Sequence, residues 1–280
     1  MTQILNGFEV SKEIRQSLKE KVAKIEGRKP GLTVVIVGED PASQTYVASK
    51  AKQAQDVGFV SNVLEFDVDI SEETLLEEIE KLNQDQTVDG ILVQLPLPGH
   101  IHEDHVIEAI SPMKDVDGLH PLNVGYLELN QKGLVSCTPK GIISLLKAYD
   151  IALEGKKALV IGRSRLVGKP VATLLLKENA TVTIAHSRTQ DLDKLILEND
   201  IIVVAIGRKE FIKADQLRDH HIVIDVGIHR HEGKLYGDVE KEAYDKVKAI
   251  SPVPKGVGPM TIVSLLENTL SAYNMKEPKL

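Results

Sequence analysis

Lys157-Ala-Leu-Val-Ile-Gly-Arg-Ser-Arg-Leu-Val-Gly168 decides the fold. Its opening run to Ile161 is short and apolar, the mark of a buried parallel strand. Val171 to Lys177 then takes up helical spacing. Gly162 ends the strand and Gly168 precedes the helix, which is where a dinucleotide-binding fold sets pyrophosphate against a helix N-terminus. The motif departs from G-x-G-x-x-G, because Ser164 stands in place of the second glycine and the spacing is longer. Taken alone, the loop also fits a strand-turn-helix whose glycines serve geometry only. A phosphate-binding P-loop is rejected: five residues separate the glycines and Pro170 follows Lys169 where Ser or Thr belongs.

Outward from this unit, Thr181–Ala185, Ile201–Ala205 and Ile222–Val226 read as further strands. Upstream, a helix from Val10 to Ile25 closes at Gly27 and Pro30. The apolar run Leu32–Val37 follows, then a helix capped by Ser43 and ended by Gly58, then strands over Val60–Phe66 and Val88–Val93. Strands alternating with helices imply parallel sheets covered on both faces. The fold class is therefore α/β with two α/β domains. Residues 1–139 form a three-layer catalytic domain, on which a C-terminal helix within 261–280 packs back. Residues 140–260 form a Rossmann-type, mostly parallel NAD(P)-binding domain. Pro112 to Pro139 is expected to be irregular, and a helix from Lys140 to Tyr149 to join the domains.

Composition fits an ordinary globular protein, with 280 residues, 42% hydrophobic and 27% charged. A formal net charge of -7 argues against nucleic-acid binding, which needs basic clusters. No apolar run approaches the roughly 20 residues that span a bilayer, and Met1-Thr-Gln-Ile-Leu-Asn-Gly7 has no signal-peptide pattern. One cysteine, Cys137, fits a reducing, cytoplasmic location, and its expected role is a small packed residue. His100, His102 and His105, or His229 with His231, lack convincing ligand spacing, so no metal is expected.

Tyr46-x-x-x-Lys50 precedes the glycine loop by more than a hundred residues. Four apart on a helix, the two side chains share a face, with Ser43 one turn earlier. Short-chain dehydrogenases use the same pair after their glycine loop, in one domain, so the reversed order argues against that family. It points instead to catalytic groups on the first domain, a cofactor loop on the second and an active site in the cleft between them. Lysine is suited to proton transfer near neutral pH only where its surroundings disfavour its charge. Gln94 closes a strand and can both donate and accept. Asp117, in Lys114-Asp-Val-Asp-Gly118, can accept paired N–H bonds from an aminopyrimidine-type ring, although Asp-Gly alone also reads as a turn. No carboxylate follows the second strand of the glycine-loop unit at Ala185-His-Ser-Arg188. Arg163, Ser187 and Arg188 are the candidates to hold a 2′-phosphate, which favours NADP.

Together these segments resemble the bifunctional methylenetetrahydrofolate dehydrogenase/cyclohydrolase family. The matching stretches are Gly38-Glu-Asp-Pro-Ala-Ser-Gln-Thr-Tyr-Val-Ala-Ser-Lys50, Gln94-Leu-Pro-Leu-Pro98, Pro112-Met-Lys-Asp-Val-Asp-Gly118 and Cys137-Thr-Pro-Lys-Gly141. They continue with Gly162-Arg-Ser164, Val167-Gly168, Asp225-Val-Gly227, Pro252-Val-Pro254 and Gly256-Val-Gly-Pro-Met-Thr261. The resemblance implies NADP-linked oxidation of 5,10-methylenetetrahydrofolate to the methenyl cation, its hydrolysis to 10-formyltetrahydrofolate, and a homodimer formed through the cofactor domains. It implies Lys50 as the central catalytic residue, supported by Gln94, with Tyr46 orienting the folate and Asp117 binding the pterin. Ser43, Pro254, Gly256 and Gly258 are implied on the substrate side. Gly162, Arg163, Ser164, Gly168, Ser187, Arg188, Gly227, Ile228 and Thr261 are implied on the cofactor side.

Three positions depart from the family pattern. Lys255 stands where a glycine is usual, His229 replaces an Asn after Gly227-Ile228, and Ser136 replaces a Pro. A positive φ at residue 255 would make lysine cost on the order of 1 kcal/mol. Two alternatives stay open: a monofunctional dehydrogenase of the same fold, and a non-catalytic NADP-binding sensor.

Overall fold

A computed structural model describes residues 1–276. Strand β1 (Gln3–Ile4) and helix α1 (Gly7–Ala23) open the chain. Strand β2 (Gly31–Val37), helix α2 (Pro41–Asp56), strand β3 (Val60–Phe66), helix α3 (Glu72–Gln84) and strand β4 (Gly90–Val93) then alternate. Helices α4 (Glu103–Ala109), α5 (Pro121–Glu128) and α6 (Cys137–Ala148) follow. The second alternation is β5 (Lys157–Ile161), α7 (Gly168–Lys177), β6 (Thr181–Ala185), α8 (Leu192–Leu197), β7 (Ile201–Val204) and β8 (Ile222–Asp225). The hairpin β9 (His229–His231) and β10 (Lys234–Tyr236), strand β11 (Ala249–Ser251) and helix α9 (Val257–Lys276) complete the order.

The chain divides into two compact units. One comprises Met1–Lys12 with Thr138–Thr261, the other Glu13–Cys137 with the segment from Ile262.

The second of these holds a three-stranded parallel sheet in the order β3-β2-β4. Every residue of central β2 is buried, which is why its sequence is a nearly continuous β-branched run. Val35, Val37, Leu75, Ile79, Ile91, Val93 and Val106 form the core beneath α3 and α4. Asp89, fully buried just before β4, ties the unit together. It takes two bonds from Arg28 at 2.6 and 2.9 Å and one from the Gly31 amide at 2.8 Å. Lys276, at the end of α9, lies 3.6 Å from the same carboxylate and donates to the Val88 carbonyl. Asn268 of α9 donates to the carbonyls of Val116 and Val135. Of the expected C-terminal helix 261–280, residues 277–280 lie outside the described residues.

The other unit is a six-stranded, all-parallel sheet in the order β1-β11-β8-β7-β5-β6. β5 pairs with β6 on one side and β7 on the other, so the strand order reverses there. This is the switch point at which open α/β sheets bind ligands. Met1–Lys12, assigned to the first domain from the sequence, groups with this unit. The physical reason is non-local pairing: β1 runs parallel to β11, and the Asn6 amide donates to Tyr149 Oη at 2.9 Å.

Local chemistry moves three sequence expectations. The cap of α2 is Asp40, whose carboxylate takes the Ser43 amide at 2.8 Å, while Ser43 lies inside the helix. Pro41 at the first helical position favours that start. α7 begins at Gly168 instead of Val171. The stretch expected to be irregular contains α5, started by Pro121 and capped by His120 Nδ1, which accepts the Leu122 amide at 3.0 Å.

Candidate functional site

In the three-stranded unit, Lys50 lies on α2 and Gln94 directly follows β4. Lys50 is 8% exposed, and its Nζ donates to Gln94 Oε1 at 2.9 Å. Gln94 is fixed at both ends. Its backbone N–H joins the Val35 carbonyl and its Nε2 donates to the Leu95 carbonyl at 2.7 Å, which turns the amide oxygen towards Lys50. Tyr46, one turn before Lys50, is 39% exposed, and partial burial raises its hydroxyl pKa. Ser43 lies a turn earlier again and is half-buried.

Asp117 is half-buried on the loop after β4, and no hydrogen bond joins it to Lys50 or Gln94 among the described residues. The sequence reading missed what shapes this loop. Asp115 is buried and accepts the amides of Gly118 at 3.1 Å and His120 at 2.8 Å, and Asn123 Nδ2 at 2.9 Å. Burial pushes its carboxyl pKa up, against the pull of those donors. Gly118 has φ +70, and a Cβ there would lie 2.4 Å from the Ser136 amide nitrogen, so the turn requires glycine. Lys114 buries its ammonium against the carbonyls of Leu82 and Asp85 at the end of α3, both at 2.7 Å. Desolvation, reinforced by nearby Lys276, lowers its pKa to about 8.

In the six-stranded unit, the candidate residues sit at the C-terminal ends of the strands. Gly162 has φ +127, and a Cβ there would fall 2.2 Å from the Ala205 carbonyl oxygen. A Cβ at Gly168 would fall 2.3 Å from the Gly162 oxygen. These two approaches fold the loop tightly over the switch point, leaving a backbone cradle of the kind that admits a pyrophosphate. Ser164 takes the role of the missing glycine in another way: its Oγ accepts the amides of Val167 at 3.2 Å and Gly168 at 3.3 Å, and its own O–H remains available to donate. Arg163, Ser187 and Arg188 are exposed, as a site for a phosphate requires. The turn carrying Ser187 and Arg188 is held by His186, whose Nδ1 accepts the Arg188 amide.

Gly227, Ile228 and His229 follow β8. Asp225, at the end of that strand, accepts the amides of Gly227, Asp238 and Val239 at 2.8 to 3.0 Å. Burial, with Asp238 close by, raises its pKa to about 7. Pro254 and Gly256, implied on the substrate side, lie in this unit between β11 and α9, and Gly258, implied with them, lies in the first turn of α9. Thr261 Oγ1 shares a hydrogen bond with Thr138 Oγ1 at 2.9 Å. Lys255 has φ +80, so the lysine does occupy a left-handed conformation. Cys137 is buried and donates Sγ–H to the Val116 carbonyl. His105 pairs with Glu72 at 2.7 Å. Among the described residues, no three His, Cys, Asp or Glu side chains gather as a metal site, and no helix is long and apolar enough to cross a membrane.

A glycine loop at the switch point of one parallel sheet, in a chain whose other α/β unit bears a buried lysine, defines a two-domain NAD(P)-binding enzyme. Two family descriptions match the chain: tetrahydrofolate dehydrogenase/cyclohydrolase, catalytic domain, over residues 5–117, and its NAD(P)-binding domain over residues 136–277. The chain belongs to the tetrahydrofolate dehydrogenase/cyclohydrolase family. It is 53% identical to the bifunctional protein FolD of Listeria innocua over 97% of both chains. The bifunctional FolD structure from Campylobacter jejuni superposes with a TM-score of 0.96 at 47% identity, covering 99% of this chain and 100% of that one. The Trypanosoma brucei dehydrogenase-cyclohydrolase, solved with NADP cofactor and inhibitor, superposes with a TM-score of 0.94 at 36% identity, covering 99% of each chain.

Proposed function

We propose that this enzyme oxidises 5,10-methylenetetrahydrofolate to 5,10-methenyltetrahydrofolate with NADP and hydrolyses the product to 10-formyltetrahydrofolate. The observation that carries the reading is the buried Lys50 held by Gln94 at 2.9 Å. The three-stranded unit is the folate-binding catalytic domain, and the six-stranded unit binds the cofactor.

In the dehydrogenase step, hydride leaves a carbon flanked by two nitrogens whose lone pairs stabilise the cation. That step needs alignment more than a base. When bound, the oxidised nicotinamide supplies the hydride acceptor. Arg163, Ser164, Ser187 and Arg188 would hold its phosphates, with Gly162 and Gly168 giving the backbone approach and Gly227, Ile228 and Thr261 completing the cofactor side. The absence of a carboxylate after β6 and the exposed arginines support NADP over NAD.

Hydrolysis adds water to the cation and then breaks one C–N bond, so protons must move. Lys50 takes a proton from the attacking water at Nζ and returns one to the departing nitrogen, and Gln94 aims it. Tyr46 orients the folate, Asp117 accepts N–H bonds from the pterin, and Ser43, Pro254, Gly256 and Gly258 line the substrate side.

The open edge of β6 and the exposed Ile184 and Leu176 support a homodimer through the cofactor unit. The single cysteine supports a cytoplasmic setting. A spectrophotometric assay with methylenetetrahydrofolate, comparing NADP with NAD, tests the whole reading. Reduced cofactor appearing with NADP and little methenyl build-up is expected. Accumulating methenyl product removes the cyclohydrolase, and no turnover with either cofactor removes the enzyme reading.

A further inference from the structure

Three consecutive amides after β7 point at one carboxylate. Ile206 and Gly207 donate to Asp238 Oδ2 at 2.8 and 3.0 Å, and Arg208 donates to Oδ1 at 2.8 Å. Successive backbone N–H groups converging in this way form an anion-binding nest, and here the protein's own buried side chain fills it. A fourth donor comes from β9: His229 Nε2 lies 2.8 Å from Oδ1, and against a carboxylate that nitrogen carries the proton. Asp238 also bears on the next loop, since a Cβ at Gly227 would fall 2.3 Å from Oδ1. On its other side the β7 loop is fixed by Gly162, which abuts the Ala205 carbonyl.

One carboxylate thus sets the backbone of both loops that leave β7 and β8. A dinucleotide fold consists of two mononucleotide-binding halves on either side of the switch point. β5 and β6 carry the loops for the pyrophosphate and the adenosine phosphate, so the nicotinamide half falls to β7 and β8. We infer that Asp238 and His229 are positioning residues for the nicotinamide half of the cofactor: Asp238 shapes the two loops, and His229 fixes Asp238. This rests on the cofactor reading proposed above.

The enzyme offers an internal control, because hydrolysis of methenyltetrahydrofolate can be assayed without cofactor. His229→Ala is expected to lower dehydrogenase kcat/KM for NADP about tenfold while cofactor-free cyclohydrolase stays within twofold of wild type. His229→Asn, which restores an N–H donor, should recover most of the loss. Asp238→Asn sets an amide N–H₂ among the nest's own donors and should lose more than His229→Ala. Unchanged dehydrogenase in His229→Ala overturns the inference, as does a parallel fall in both activities, which marks a merely structural role. Wild-type enzyme is run first: failure to turn over with NADP defeats the cofactor reading itself, separately from the behaviour of the variants.

Discussion

The two units position their functional groups by different means. In the three-stranded unit the proposed chemistry rests on side-chain identity, with Lys50 on α2 held by Gln94 at the end of β4. In the six-stranded unit it rests on the path of the backbone. Gly162, Gly168 and Gly227 sit where no Cβ fits, and Asp225 and Asp238 gather six amides between them. The lesson is that a side-chain site fails when a functional group is replaced, whereas a backbone site fails when an atom is added. The first kind of change should alter chemistry at constant stability, and the second should alter stability and cofactor binding together.

The strongest test of this contrast is Lys50→Met. Loss of the proton-transfer group is expected to reduce cyclohydrolase by at least about 100-fold, with a smaller loss of dehydrogenase and an unchanged melting temperature. Equal loss of both activities in purified protein would break the division of labour. Next is Gly162→Ala, one methyl added at φ +127 against the Ala205 oxygen. Left-handed strain and overpacking together predict about 3 kcal/mol of destabilisation, read by denaturant unfolding, with weaker NADP binding. A variant as stable as wild type would show that the loop can move aside.

A third prediction concerns acid. His221 is fully buried, its Nδ1 accepts the Arg218 amide, and desolvation lowers its pKa to about 4. The unfolded chain takes up this proton near pH 6.5, the folded protein only near 4. The stability His221 contributes as a neutral group is therefore lost as pH falls from about 6.5 to about 4, by up to about 3 kcal/mol. Asp225, raised to about 7, acts with the opposite sign: the folded state keeps a proton that the unfolded chain releases near pH 4, so its contribution fades as pH rises from about 4 to 7. His221→Gln isolates the first effect. Relative to wild type, it should gain stability at pH 5 compared with pH 8, and identical pH profiles would exclude it. The smallest effect is expected for Lys255→Gly. Relief of left-handed strain, on the order of 1 kcal/mol, is partly offset by the flexibility of glycine in the unfolded chain, roughly 0.5–1 kcal/mol. The unfolding midpoint should rise slightly or stay level, and a fall would mean that the lysine side chain makes a stabilising contact.

Much of this architecture is legible in short stretches of chain. Lys157–Ile161 is a strand over the very residues its apolar run suggests, because a central parallel strand is buried on both faces, and Thr181–Ala185, at the sheet edge, follows its β-branched residues. Tyr46 and Lys50 share a helix because their spacing is four. Asp40 shows where such reading slips. Several residues near Pro41 can cap a helix, and only the backbone entering α2 selects among them.

What the sequence determined by itself was therefore local: strand and helix periods, the glycine loop, the order of motifs and the family they mark. The tertiary structure alone decided the rest. β1 pairs with a strand more than two hundred residues away, which draws Met1–Lys12 into the cofactor unit. Asp89 collects Arg28 and Lys276 from distant parts of the chain, and Asp238 collects the β7 loop and His229. Such carboxylates have no sequence signature, because the need for them arises only when folding buries backbone amides and cations that must then be paired.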